Sequence, residues 1–339
     1  MKKRVAYIDI AKAIGMILVI LGHMDIPGNL YNYLFSFHMP LFIILSGLVF
    51  NQEKIWKQVK SLLITFLSLS VILSVVDIAV KLLVSHETVD YLSYLKAILG
   101  GAAAPFYRFN PAPAIWFLTA LMIVEIASFL LSFLGKYRII PIIVMVIVGF
   151  LTAPYKESLY IPWNIDVALF LIPFFEMARE LKKVLGKISS VRPWVMIPIG
   201  IAGLLALMPL SQLNGTVNIF RCQYGNNILL YYLNSLIGSS AIICLSIAWS
   251  SLKHTALICW MGRNTVVPMA THQMLLPLVV FIMGYVPYYS HPIAVIATKV
   301  FGLIILTTIC YLLAWIVDRF CPIILGKQKN KDKQNSKGC

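Results

Sequence analysis

The sequence predicts an all-α polytopic membrane protein with about ten transmembrane helices and both termini cytoplasmic. Three observations carry this. Of the 339 residues, 60% are apolar and only 12% charged, and the mean hydropathy is +0.86; soluble domains hold about 45–50% apolar and 25% charged residues. The apolar residues gather into runs near the roughly 20 residues that a spanning helix needs. Lysine and arginine fall unevenly between the connections, as they do across a membrane. A water-soluble enzyme, a disulfide scaffold and a disordered chain are excluded.

The runs, in order, are 7–26, 33–50, 61–84, 114–134, 139–154, 164–181, 194–210, 228–250, 264–285 and 292–317. All are read as helices, because a chain in lipid must pair its backbone internally and the runs are too long and too evenly apolar for barrel strands. The first follows Met1-Lys-Lys-Arg4 without a small-residue cleavage site, so it is expected to remain as a helix. Polar or Pro/Gly-rich breaks separate the others. The longest outer connection, Ser85 to Pro113, carries Gly100-Gly101, Pro105, Pro111 and Pro113 and is expected to hold a re-entrant or lid-like segment.

If each run crosses once from a cytoplasmic N-terminus, 22 of the 28 Lys and Arg residues lie inside and 6 outside. This bias explains the net charge of +15 without nucleic acid and sets the orientation. Residues 1–322 form the membrane domain. Residues 323–339, with Lys327, Lys329, Lys331, Lys333 and Lys337, are read as a basic, disordered cytoplasmic tail near anionic lipid. The six cysteines form no Cys-x-x-Cys pair, and those in apolar runs are read as small core residues.

Charges are costly in hydrocarbon, so embedded polar groups are the first candidates for function. Lys12 and His23 are eleven residues apart, about three helical turns and about 16 Å, so they share one face. Asp9 precedes Lys12 by three positions, a pairing distance. Gly15 and Gly22 suit close helix packing. Taken alone, Lys12 also fits a lysine snorkelling to the interface, and His23 an interhelical hydrogen bond. His38 opens the second run, one short loop after His23, so two imidazoles meet near the outer face; they suit a base and its partner near neutral pH. Two His and Asp25 show no ligand spacing, and no metal is expected. Asp77, Glu125, Asn164, Asp166, Glu176 and His272 are also embedded, each open to a purely structural reading.

Asp9-Ile-Ala-Lys12, followed by Gly22-His23, resembles the opening of membrane acyltransferase family 3, in which a basic residue precedes a functional histidine at this spacing. Phe37-His38-Met39-Pro40-Leu41-Phe42 with Leu45-Ser46-Gly47 resembles its fucose 4-O-acetylase-like branch. Trp116-Phe117-Leu118, Asn164-Ile165-Asp166, and Gly262-Arg263-Asn264-Thr265 through His272 are similar to later landmarks. Many members carry Arg where this chain has Lys12. Some carry a fused extracytoplasmic or racemase domain, and neither is expected here.

The resemblance implies a bacterial, multi-pass protein of the cytoplasmic membrane that moves an acetyl group from cytoplasmic acetyl-CoA to a hydroxyl of a cell-envelope or capsular glycan, or of its lipid-linked precursor. His23, Lys12 and His38 are then the catalytic candidates. Lys12, Lys54, Lys57, Lys60 and Arg263 are the donor-binding candidates, since phosphates are held by cations. Asp9, Asp25, Trp116, Glu125, Asn164, Asp166 and His272 are the acceptor-side candidates. His23 serves either as general base or as the site of an acyl-histidine. The competing reading is a transporter or flippase of an envelope glycan intermediate, although no matching halves of the kind common in transporters are visible.

Overall fold

Lipid leaves backbone groups no partner outside the chain, and the fold answers with helices. The computed structural model describes residues 5–102, 113–156, 158–159, 161–188, 192–284 and 292–327. Thirteen α-helices occur there: α1 (Ala6–His23), α2 (Gly28–Phe35), α3 (His38–Val49), α4 (Ile55–Val80), α5 (Tyr91–Leu99), α6 (Trp116–Leu131), α7 (Ile139–Thr152), α8 (Ile165–Ile188), α9 (Pro193–Asn214), α10 (Ile228–Ser250), α11 (Ala256–Arg263), α12 (Val266–Gly284) and α13 (Pro292–Phe320). Between α9 and α10 lies a small antiparallel hairpin of β1 (Val217–Asn218) and β2 (Gln223–Tyr224), which the helix-only reading did not anticipate.

Among the described residues, seven segments are long and apolar enough to cross a membrane, or eight if α11 and α12, bent by 80° at their junction, count as one. The expected ten crossings are therefore not reached on these criteria. Two features make the difference. The stretch Trp116–Tyr155 counts as one segment, although Gly135 (φ 51°) breaks it between α6 and α7. The α8 helix is longer than a span but carries Asp166, Glu176, Arg179, Glu180, Lys182 and Lys183, which lower its hydropathy.

The α1 helix lies inside the bundle. It packs against α2, α3, α10, α11, α12 and α13, and with the α2–α3 segment it is far more buried than α9 or α13. Two glycines bring the backbones together. A methyl at Gly47 would stand 2.6 Å from the Phe175 carbonyl oxygen of α8, and one at Gly262 of α11 would overlap the Asp9 carbonyl of α1. Gly15 and Gly22 sit against Leu41, Phe42 and Phe35, in line with the close packing their spacing suggested.

The 33–50 run is broken in two. Phe37 leaves the helical region (φ −144°, ψ −19°) and α3 restarts at His38. Pro40 stands in the first turn of α3, where its missing N–H costs no helical bond. The freed carbonyls find partners: Ser235 Oγ of α10 donates to Ser36 O at 2.7 Å, and His38 Nδ1 donates to Leu34 O at 2.7 Å.

Residues 323–325, read as the start of the tail, are folded. Residues Pro322–Leu325 form a 3-10 turn against α4, burying Pro322 and Leu325, and Lys327 pairs with Asp318 at 2.8 Å. The cause is the apolar Ile323-Ile324-Leu325. Residues 328–339 lie outside the described ones. So do residues 103–112 of the suspected re-entrant segment, including Pro105 and Pro111; its described part holds α5, tied to α4 by Tyr94 and Lys81 bonding to Asp77.

Candidate active site

The face of α1 that carries Lys12 and His23 lines two cavities. The larger, of about 510 Å³, takes Lys12 and Met16 from α1, Phe42 and Ser46 from α3, Lys54, Lys57, Gln58 and Ser61 at the start of α4, Phe117 and Glu125 from α6, and Thr265 and Met269 beside and on α12. The smaller, of about 290 Å³, takes Val19 and His23 from α1, Tyr31 and Phe35 from α2, His38 from α3, Trp116, the hairpin residues Asn218 to Arg221, and Met269 and Gln273. Positions 12, 16, 19 and 23 are one helical stripe. Met269 belongs to both walls and so stands between the two cavities. Their volumes fall at the scale of small-ligand sites, about 300–1,000 Å³.

The histidine cavity is built around three imidazoles. His23, at the last turn of α1, is half-buried. The Gln273 side-chain amide is hydrogen-bonded to its Nδ1 at 2.9 Å and lies 3.3 Å from its Nε2. His38 is buried and spends its Nδ1–H on the Leu34 carbonyl, so its Nε2 keeps a lone pair. His272 likewise donates from Nδ1 to Pro268 O at 2.9 Å and stands behind His23, ring centres 5.0 Å apart. Phe35 lies T-shaped to His23 at 5.6 Å and to His38 at 4.6 Å. Of the three, His23 is the one lining the cavity with the least burial. Among the described residues no three His, Cys, Asp or Glu side chains converge to hold a metal ion.

The lysine-lined cavity sets a buried carboxylate beside a cation. Glu125 is 6% exposed, and the charge of Lys12 acts on it; an ion inside a bundle needs such a countercharge. Lys54 and Lys57 stand exposed at the mouth. Lys60 does not join them: three-residue steps fall about 60° short of a full turn, and Lys60 is carried round to an exposed face outside the lining. Arg263 lines a separate crevice of about 70 Å³ with Asn264 and Lys327.

Several acceptor-side candidates lie elsewhere. Asp25 is 98% exposed in its side chain and pairs with Lys299 at 3.0 Å. Asn164 is buried and fastens loops, donating to Gly101 O and Thr119 Oγ1, both at 2.9 Å. Asp166 holds Lys156 in a buried ion pair at 2.5 Å. Asp9 is buried where α1 meets α11. Glu176, the other embedded acid, is neutralised by Arg179 at 2.7 Å and Arg138 at 3.6 Å. Trp116 lines the histidine cavity, Glu125 the lysine cavity, and His272 backs His23.

The structure adds Gln273, Phe35, Tyr31 and Arg221, which the sequence reading passed over as site residues. Gln273 was within reach of a helical reading, since it adjoins His272 on α12. Arg221 had counted only as an outer cation. Its neighbour Cys222 is buried, and burial pushes the thiol up to about 12.

The model of the acyltransferase domain of acyltransferase family 3 matches residues 5–315. No curated protein and no solved structure matches the chain. Coverage of nearly the whole chain by that family model, together with the apolar helices, means that this chain belongs to acyltransferase family 3, as a multi-pass membrane acyltransferase.

Proposed function

We propose that this chain is an integral membrane O-acetyltransferase of the fucose 4-O-acetylase-like branch, carrying acetyl from cytoplasmic acetyl-CoA to a hydroxyl of a cell-envelope or capsular glycan or its lipid-linked precursor. The observation that carries the reading is the single stripe of α1 joining a cavity with a lysine mouth to one lined by imidazole and aromatic rings. With ten crossings and both termini in the cytoplasm of a bacterial cell, the lysine mouth faces the donor and the histidine cavity faces outward, in accord with the charge bias of the sequence.

In this reading the phosphates of acetyl-CoA rest on Lys54 and Lys57, and the pantetheine arm follows the stripe past Lys12 and Met16. The acceptor sugar lies among Tyr31, Phe35 and Trp116, whose faces suit the C–H side of a pyranose while polar groups orient the hydroxyls. The hydroxyl oxygen attacks the thioester carbonyl carbon, His23 takes the hydroxyl proton, and the C–S bond breaks to release coenzyme A, whose sulfur recovers a proton. Gln273 and His272 hold the His23 ring, His38 orients the acceptor, and Lys12 grips the donor. A mass comparison of glycans from cells with and without the intact gene tests the reading: loss of acetyl groups in the deletion supports it, and identical glycans refute it.

A further inference from the structure

Two side chains on the wall of the lysine-lined cavity each bury an oxygen that accepts no hydrogen bond. They are Glu125, through Oε2, and Gln58, through Oε1, and neither oxygen has a partner among the described residues. Glu125 is 6% exposed and stands on α6 one helical turn past Leu121, which lines the same wall. The charge of Lys12 acts on it, so the carboxylate is balanced while Oε2 stays open to a donor. Gln58 is half-buried in the first turn of α4, directly after Lys57 of the mouth. Much of the remaining wall is apolar, with Met16, Phe42, Leu62 and Leu121.

Buried acceptors in folded proteins almost always have a donor, so an open acceptor on a cavity wall marks where the N–H or O–H of a ligand fits. The cavity therefore suits a slender chain, apolar along much of its length and carrying N–H donors, behind an anionic head that meets Lys54 and Lys57. The pantetheine arm of coenzyme A is such a chain, with two amide N–H groups in its length. We propose that Glu125 and Gln58 accept the two amide N–H groups of the pantetheine arm, and so hold it in the cavity between the lysine mouth and the histidines. This places Glu125 on the donor side of the reaction, and it rests on the lysine-lined cavity being the donor site.

The test is equilibrium binding to the purified full chain in detergent, with two probes: coenzyme A, and adenosine 3′,5′-bisphosphate, which is its nucleotide end without the arm. A hydrogen bond to a charged acceptor is worth roughly tenfold or more in affinity, and one to a neutral acceptor about fivefold. Coenzyme A is therefore expected to bind at least about tenfold tighter than the bisphosphate. Gln58→Leu weakens coenzyme A about fivefold and Glu125→Met roughly tenfold or more, while Glu125→Gln, which keeps a neutral acceptor, loses less. All three variants bind the bisphosphate within about twofold of wild type, because it makes no contact with either oxygen; a general loss of structure lowers both probes alike. If the Glu125 variants fail to fold, Gln58→Leu, at a half-buried position, decides the matter. Equal affinity for the two probes, variants that weaken both alike, or coenzyme A binding untouched by the variants overturns the inference. Acetyl transfer from acetyl-CoA to the cell's own glycan fraction is measured in parallel. Transfer with coenzyme A binding indifferent to the variants sinks this inference alone; arm-dependent binding without transfer sinks the acetyltransferase reading alone; absence of both coenzyme A binding and transfer sinks the two together.

Discussion

Replacing Lys54 and Lys57 together by Gln probes the donor mouth, with Lys60→Gln as the internal comparison. The first two line the cavity around Lys12, and the third does not. Both are exposed, so each ammonium–phosphate contact is screened and worth about 1 kcal/mol, or about fivefold at 1.36 kcal/mol per tenfold. Neighbouring groups on one ligand add only in part, which gives roughly 5- to 30-fold for the pair. The contact is the same in ground and transition states, so the loss falls on the KM for acetyl-CoA while kcat holds. The assay is initial-rate transfer from radiolabelled acetyl-CoA at fixed acceptor, repeated at high salt, where the difference between wild type and variant narrows. Lys60→Gln is expected within about twofold of wild type, as a surface charge away from such contacts. An unchanged KM in the double variant, or an equal rise with Lys60→Gln, refutes the placement of the donor.

Other expectations follow from the same geometry. His38→Asn keeps a polar group of similar size and retains measurable transfer, whereas His38→Ala loses more; rates of the two at matched folded protein decide it, and complete loss in His38→Asn gives His38 a direct role in chemistry. Lys12→Arg retains substantial activity while Lys12→Ala loses most of it; transfer rates at matched folded protein read the difference, and equal inactivity of both variants contradicts a role resting on charge. Gly262→Ala forces α11 off the Asp9 carbonyl and destabilises by at least about 1–3 kcal/mol, seen as a lower unfolding midpoint; an unchanged midpoint is the contrary result. Asp25→Asn leaves transfer within about twofold, because an exposed ion pair contributes little; a large loss returns Asp25 to the acceptor site.

The helical class was legible because lipid permits so few backbone solutions, and each apolar run falls on one or two helices. The α1 stripe was legible too, since Lys12 and His23 sit whole turns apart. What stayed hidden depends on direction in space. The lysines at 54, 57 and 60 look equivalent in one dimension, yet helical drift turns Lys60 away. Asn164 and Asp166 are embedded, like Glu125, but they face a loop and a lysine and not a cavity. Asp25 lies two residues past His23 and just beyond the end of α1, where the chain turns it outward. The hairpin that brings Arg221 to the histidines has two residues in each strand, too short for any periodic pattern.

The central claim is that His23 takes the acceptor hydroxyl's proton as acetyl passes from the donor. The most direct measurement is acceptor-dependent release of coenzyme A thiol by the purified protein in detergent, for wild type and for His23→Ala and His23→Asn variants with wild-type unfolding midpoints. Wild type is expected to release thiol in step with glycan acetylation, and neither variant to do so above background, since neither methyl nor amide takes the proton. Undiminished release by a folded His23→Asn variant, or movement of the glycan across proteoliposomes without acetyl-CoA, contradicts the account.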